Sequence, residues 1–209
     1  MPSRLFGTTF IVVFAGTLLG AQAPQTTAPP VKRAYEYTPR PMPPPNEGDI
    51  QFMSGMIPHH AQAVKIAGWC GSHGARKDLA ILCERIVVGQ RDEIKLMQTW
   101  LTDRGLPAPA SDATHMKMKM NGMEHDMLMP GMLTDEQLAA LDKARGAEFD
   151  KLFLTAMIAH HEGAITMVKE LFNTKGAGED DVVFRFATDV ETDQTTEIAV
   201  MKEMLGGGL

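Results

Sequence analysis

Apolar residues recur at intervals of three and four along four stretches of the chain, about residues 47–70, 77–102, 135–172 and 179–205. This spacing places them on one face of an α-helix, and that face is then buried against a core. Aromatic residues make up only 6% of the chain, and runs of β-branched residues are short. The pattern therefore predicts an all-α protein with four helices.

Residues that begin and end helices stand at the predicted boundaries. Asn46 precedes the first helix, and Thr134 with Gln137 forms a capping box before the third. The sequence Gly105–Pro107 follows the second helix, and Gly206–Gly208 follows the fourth. These signals support the four predicted helices.

Two residues inside the predicted helices are expected to disturb them. Pro58 lacks a backbone N–H and favours a kink in the first helix. Gly146 is expected to bend the third helix or to separate its first part as a short helix. The connection within each pair of helices is short, which predicts two antiparallel hairpins joined by the long stretch 103–133. The predicted domain is a four-helix bundle over residues 46–205.

The chain contains one unit twice. The sequence Met56-Ile57-Pro58-His59-His60 returns as Met157-Ile158-Ala159-His160-His161, at an offset of 101. Further pairs are Asp49 with Asp150, Phe52 with Phe153 and Ala63 with Ala164 at this offset, and Gln90 with Gln194, Glu93 with Glu197, Ile94 with Ile198 and Met97 with Met201 at an offset of 104. Each copy thus keeps a sulfur, two imidazoles, a carboxylate and an amide.

Polar side chains stand in the middle of the apolar face of every predicted helix. They are Asp49 and His60 in the first helix, Gln90 and Glu93 in the second, Asp150 and His161 in the third, and Gln194 and Glu197 in the fourth. If the hairpins turn near residues 75 and 177, His60 lies level with Gln90, Met56 lies level with Glu93, and the second copy repeats this arrangement. Burying such groups without partners is costly, so they must hydrogen-bond to one another or hold a cation.

The candidate metal ligands of the bundle are repeated positions that carry sulfur, imidazole or carboxylate. They are Asp49, Met56, His59, His60 and Glu93 in the first copy, and Asp150, Met157, His160, His161 and Glu197 in the second. This mixture favours copper, as Cu(I), Cu(II) or both. Neighbouring residues of a helix point about 100° apart, so one histidine of each pair is expected to cap, bridge or reach the surface. Alternatively, the histidines are hydrogen-bonded core residues without a metal.

The stretch between the hairpins supplies a second set of candidate ligands. Seven methionines and two histidines fall within residues 115–132. They are His115, Met116, Met118, Met120, Met123, His125, Met127, Met129 and Met132. Their spacing is not helical, and thioethers favour Cu(I), so we expect this segment to bind copper. The alternative is a flexible loop whose methionines pack on the bundle.

The N-terminal region predicts export. Arg4, the apolar run Leu5–Leu19 and the sequence Ala21–Ala23 indicate a signal peptide over residues 1–23, with an uncleaved membrane anchor as the alternative. Residues 24–45 contain eight prolines and predict an extended, disordered linker. We therefore expect a periplasmic or secreted protein that keeps no stable membrane anchor after cleavage.

The only two cysteines are Cys70 and Cys83. In an exported protein such a pair favours a disulfide, which here would close the turn of the first hairpin. Two buried thiols, or a redox-active or metal-binding pair, are the alternatives.

The repeated motifs resemble a known family. The two Met-Ile-x-His-His sequences at 56–60 and 157–161, with Gln-x-x-Glu-Ile at 90–94 and 194–198, are similar to those of the bacterial domain of unknown function three hundred and five. The resemblance covers about residues 46–205, and Ala159 in place of a second proline is a small departure. It implies a ferritin-like helical bundle. Because some exported members bind copper, it also implies a role in copper tolerance.

The net charge and the absence of certain motifs exclude some classes of function. The net charge of −6 and the lack of a basic stripe argue against nucleic acid binding. No nucleophile–base arrangement and no phosphate-binding glycine loop stands out, so enzyme activity is not indicated. We expect a metal ion as the partner and copper sequestration or buffering as the function, and homo-oligomers are left open. The alternatives are a ferritin-like di-metal redox enzyme, and a structural or interaction module with a hydrogen-bonded polar core and no metal.

Overall fold

The computed structural model of the protein describes residues 44–120 and 123–206, with the backbone alone for 117–120 and 123–125. The predicted signal peptide (1–23) and nearly all of the predicted linker (24–45) lie outside these residues. Within the described ranges, no helix combines the length and the apolar composition needed to cross a membrane.

The fold is the predicted bundle of two antiparallel helical hairpins. Its helices are α1 (Glu47–Ala67), α2 (Lys77–Thr102), α3 (Asp135–Lys143), α4 (Ala147–Asn173) and α5 (Asp181–Leu205), and a ribbon of β1 (Met116–Met120) and β2 (Met123–Met127) follows α2. α1 packs against α2, α4 packs against α5, and α1 also packs against α4. The all-α prediction is confirmed, and the long connection between the hairpins contains the ribbon and α3.

The alternative in which Gly146 separates a short helix is the one observed. α3 and α4 are separated at 144–146, where Gly146 has a φ of +56° that favours glycine. The N–H of Gly146 donates to the carbonyl of His73 at 2.9 Å, which ties this break to the turn between α1 and α2. The predicted continuous helix over 135–172 is therefore wrong.

Other helix boundaries differ slightly from the prediction. α1 ends at Ala67 rather than at residue 70, and it continues through Pro58 without a break. α5 begins at Asp181 rather than at 179, because Asp180 is its N-cap and accepts hydrogen bonds from two backbone N–H groups of the first turn. The caps at Asn46 and Thr134 are formed as predicted.

The repeated apolar faces form the core. The polar residues predicted on these faces are all buried except Glu93 and Glu197, whose side chains are 24% and 19% exposed. Cys70 and Cys83 are bridged by a disulfide that joins the end of α1 to α2. This bridge closes the turn of the first hairpin and holds α1 and α2 in register at the end of the hairpin that contains the turn.

Candidate metal site

Four histidines lie in the middle of the bundle with no exposed surface. His59 and His60 come from α1, and His160 and His161 come from α4. Their duplicated positions bring the two pairs together at the α1–α4 contact. None of them reaches the surface, which was one of the three alternatives expected for one member of each pair.

The second histidine of each pair is held by a glutamate. His60 Nε2 lies 2.8 Å from Glu93 Oε2, and His161 Nε2 lies 2.7 Å from Glu197 Oε2. Glu93 was expected level with Met56, about one helical turn from His60. Its side chain instead contacts His60, and Glu197 contacts His161 in the same way.

The His–Glu pairs fix which ring nitrogen carries a proton. A carboxylate only accepts, so Nε2–H of His60 and of His161 donates to its glutamate. A neutral ring then keeps its lone pair on Nδ1. Histidines that bind metals commonly donate their other nitrogen to a carboxylate in this way, because the contact orients the ring and raises its basicity. Glu93 and Glu197 are thus placed to orient ligands rather than to coordinate a metal themselves.

The first histidine of each pair meets its repeat partner. The rings of His59 and His160 are 3.8 Å apart between centroids. His59 Nε2–H donates to the carbonyl oxygen of Pro130 at 3.0 Å. Burial, reinforced by the nearby His60 ring, lowers the pKa of His59 from 6.5 to about 3. Burial and the His59 ring lower the pKa of His160 well below 6.5, so both rings are neutral at physiological pH.

Five ring nitrogens of these histidines have no hydrogen-bond partner among the described residues. They are Nδ1 of His59, His60 and His161, and both nitrogens of His160. Buried polar atoms are usually paired, and each unpaired one costs about 1–3 kcal/mol. The centre of the bundle therefore offers several imidazole lone pairs that the fold itself does not use.

A short segment of chain covers the histidines in the groove between α1 and α4. We call this segment, Met129–Leu133, the strap. Gln62 of α1 is fully buried and holds Leu133 by two hydrogen bonds, as donor to its carbonyl at 3.0 Å and as acceptor from its N–H at 2.7 Å. With the bond from Pro130 to His59, these contacts fix the strap along one face of α1.

Two glycines let the strap approach α4 closely. A Cβ added to Gly163 of α4 would lie 1.9 Å from the Pro130 oxygen. A Cβ added to Gly131 of the strap would lie 2.4 Å from the Ala159 oxygen and 3.1 Å from the His160 Cα. Only glycine fits at either position, so backbone packs directly against backbone beside His160.

Asp49 and Asp150 are not brought to the histidines. Asp49 precedes His60 by about three helical turns, roughly 16 Å. Its Oδ1 accepts a hydrogen bond from Gly178 N at 2.6 Å, and Asp150 accepts from Arg76 N at 3.3 and 3.4 Å. Each carboxylate thus caps the interhelical turn of the other hairpin.

We expect Asp49→Ala to lower the free energy of unfolding by about 1–3 kcal/mol, because it leaves the buried N–H of Gly178 without an acceptor. Asp150→Ala is the matched control, since its longer bonds predict a smaller loss. Chemical unfolding followed by circular dichroism measures both variants. Copper stoichiometry should stay unchanged in both variants. A loss of bound copper in Asp49→Ala would show that Asp49 is a metal ligand.

The glutamates of both His–Glu pairs face one acidic region. The pKa of Asp193 on α5 is raised by partial desolvation and then by the negative charges of Glu93, Asp189 and Glu197. The two pairs, although they come from different repeats, therefore open toward the same side of the bundle. A cation approaching this side meets several carboxylates before it reaches the imidazoles.

The predicted methionine ligands are divided between the core and the ribbon. Met56 and Met157 are fully buried in the two apolar clusters of the core. In the ribbon, Met116 pairs with Met127, Met118 with His125, and Met120 with Met123. Opposite positions of an antiparallel pair share a face, so these six positions lie on one face of the ribbon. The side chains of Met118, Met120, Met123 and His125 lie outside the described residues.

His115, at the start of the ribbon, lies 3.6 Å from Asp135 of α3. In the described part of the chain, no three side chains of His, Cys, Asp or Glu are grouped closely enough to hold a metal ion. A site built from these side chains as they stand therefore holds at most two of them together, and methionine sulfur is a further donor type available to it.

Several residues at the site were not predicted from the sequence, namely Gln62, Pro130, Gly131 and Gly163. The available signal was a difference between the repeats. At the offset of 101, Gln62 corresponds to Gly163. One copy supplies an amide that holds the strap, and the other supplies the space into which the strap fits. The strap breaks the symmetry that the repeat would otherwise give.

Solved structures with the same fold include copper-bound proteins. A putative secreted protein from Streptomyces coelicolor is 27% identical, with 77% of this chain and 93% of that chain covered and a TM-score of 0.64. A fragment from Deinococcus radiodurans is 26% identical, with coverages of 78% and 99% and a TM-score of 0.63. A protein named CopM in its Cu(I)-bound form is 28% identical, with coverages of 76% and 96% and a TM-score of 0.58, and Cu(II)-bound and Ag-bound forms of it also match.

The similarity to curated sequences is narrower. The uncharacterized protein L153 of Acanthamoeba polyphaga mimivirus is 33% identical over 58 residues, which is 28% of this chain and 38% of that protein. A family model described as Domain of unknown function (DUF305) matches residues 49–205, the range that holds both hairpins and all four central histidines. The chain therefore belongs to the DUF305 family.

Proposed function

We propose that this chain is an exported copper-binding protein that sequesters or buffers copper in the periplasm. The observation that carries the proposal is the set of five buried ring nitrogens without partners at the α1–α4 contact. Glutamates orient two of the four rings, and the other two lie against one another with 3.8 Å between their centroids, so each ring has a defined position. Copper is the cargo of this site.

The chemistry of the donors favours copper over hard cations. Neutral imidazoles bind Cu(I) and Cu(II), whereas Mg²⁺ and Ca²⁺ prefer oxygen ligands. The lowered pKa values of His59 and His160 keep both rings unprotonated, so protons do not compete with the metal at neutral pH. His59 and His160 supply the two adjacent donors. Nδ1 of His60 and of His161 are separate lone pairs, in rings whose centroids lie 6.1 and 6.2 Å from those of His59 and His160.

The ribbon and the acidic side supply two further elements of this function. Five methionine positions and one histidine position share one face of the ribbon, and thioethers select Cu(I). We infer that this face collects Cu(I) from solution. The carboxylates near Asp193, which come from α2 and α5, attract cations to their side of the bundle. The copper-bound forms of CopM support a role of this kind for a bundle of this family.

Copper titration of the exported chain tests the proposal. We expect the double variant His59→Leu/His160→Leu to lose the tightest equivalent of Cu(I), measured by competition with a Cu(I) chelator. Replacing the ribbon methionines Met116, Met118, Met120, Met123 and Met127 with leucine should remove separate, weaker equivalents. In the unaltered chain, bound copper at 100 times its Kd should also raise the free energy of unfolding by about 2.7 kcal/mol.

His73→Gln is the matched control for the histidine variant. His73 is also buried, but its ring nitrogens are paired with Ser72 and with Asp142. Its replacement should leave copper stoichiometry unchanged. If both the histidine variant and the ribbon variant bind as much copper as the unaltered chain, the proposed function is wrong.

A further inference from the structure

A second cluster of soft donors lies at the outer end of the strap. Gly55 of α1 has no side chain, and two methionines converge on the space this leaves. A Cβ built at Gly55 would lie 3.5 Å from Met129 Sδ, 3.4 Å from Met129 Cε and 3.4 Å from Met167 Cε. Met129 belongs to the strap, and Met167 belongs to α4. A thioether from each side of the groove therefore meets over the same glycine.

The backbone of Met129 is held in place by a neighbouring residue of the strap. Met132 Sδ accepts a hydrogen bond from Met129 N at 3.2 Å, which fixes the conformation of the strap next to Met129. Met132 and Met167 are only 8% and 5% exposed, whereas Met129 is half-buried. A small cavity of about 140 Å³ opens from the pair, with Glu170 in its wall. The cluster is thus shielded from water on one side and accessible on the other.

The two repeats differ at both positions that face Met129. At the offset of 101, Gly55 corresponds to Ala156 and Met167 corresponds to Ile66. Ile66 shows that an aliphatic residue is enough for ordinary core packing at the position that Met167 occupies in the second repeat. Where these helices face Met129, α1 instead has Gly55 and α4 has the thioether of Met167.

We propose that Met129 and Met167 form a thioether site for a soft monovalent cation, Cu(I) or Ag(I), over Gly55. Three rotatable bonds let each methionine turn its sulfur inward at little cost. Gly55 and His59 lie one turn apart on the same face of α1, so the site adjoins the histidines. It rests on the proposed function and gives the cation a binding position between solvent and the imidazoles.

The test uses Ag(I), which does not change oxidation state, and the exported chain labelled with ¹³C at its methionine methyl groups. We expect the methyl resonances of Met129 and Met167 to shift together and to saturate with the same equivalent of Ag(I). Met167→Leu should abolish the response of Met129, and Met129→Leu should abolish that of Met167. Leucine preserves the packing volume, and thermal unfolding checks that each variant is folded.

Met204→Leu is the matched control, because Met204 is 6% exposed in a different part of the core. It should leave the Met129 and Met167 responses unchanged. The inference is overturned if the Met167 resonance does not move while Ag(I) binds elsewhere, or if Met129 responds equally in Met167→Leu. If no resonance moves and the chain binds neither Ag(I) nor Cu(I), the proposed function fails as well.

Discussion

Replacing Gly163 with alanine is expected to lower the free energy of unfolding by about 3 kcal/mol, near the upper end for overpacked sites. The new Cβ would lie 1.9 Å from the Pro130 oxygen and 2.8 Å from the Gly131 Cα, and both are backbone atoms that no side-chain rotation can move away. The strap must therefore leave the groove. For a chain of this size, the melting temperature should fall by roughly 6–12 °C.

The second readout is local. The buried N–H of Leu133, now bonded to Gln62, should exchange with solvent much faster in Gly163→Ala. The control is Gly89→Ala, because Gly89 also lies within a helix but has nothing within 4 Å of an added Cβ. That variant should be more stable by about 0.5–1 kcal/mol, since alanine favours the helix. Equal stability of the two variants would contradict the close packing of the strap.

Acid should destabilise the metal-free protein well before its carboxylates are protonated. The pKa of His59 is about 3 in the folded chain and 6.5 when exposed, so the unfolded chain binds more protons between these values. Stability therefore falls as the pH falls below 6.5, and it does not depend on this group above that pH. Between pH 7 and pH 5 the loss is about 2 kcal/mol from His59, and His160 adds a loss in the same direction.

His160→Leu separates this effect from copper binding. Both nitrogens of His160 lack a partner among the described residues, so an apolar replacement should leave the free energy of unfolding at pH 7 within about 1 kcal/mol or raise it. Its pH dependence between 7 and 5 should become shallower, and its tightest copper equivalent should be lost. Urea unfolding at a series of pH values measures the slope. A slope equal to that of the unaltered chain would show that His160 is not the buried neutral ring described above.

Local sequence rules predicted the bundle well because its apolar faces are regular and repeated. The recurrence of apolar residues at intervals of three and four identified the core faces, and the caps at Asn46 and Thr134 identified two helix starts. The sequence left open whether the helix breaks before α4, since Gly146 is compatible with either a bend or a stop. Its outcome depended on the distant carbonyl of His73, which no local rule includes.

The site was predictable in its residues but not in its pairings. Duplication and helical spacing identified His60, His161, Glu93 and Glu197 as polar groups of the core. That the glutamates bind the histidines depends on where each hairpin turns, and a shift of a few residues exchanges one partner for another. The strap was harder still to predict, because glycines such as Gly163 carry no chemical signal until the segment that packs on them is known.

The crossed caps of Asp49 and Asp150 bear on how such a chain arose. Each carboxylate binds the turn of the opposite hairpin, so neither hairpin satisfies its own aspartate. A free-standing ancestor of half this length could have met the requirement only by associating with an identical copy about a two-fold axis. Such a pair, joined into one chain, would have the crossed caps described here. The segment that joins the two halves contains the strap, which contacts α1 of one half and α4 of the other.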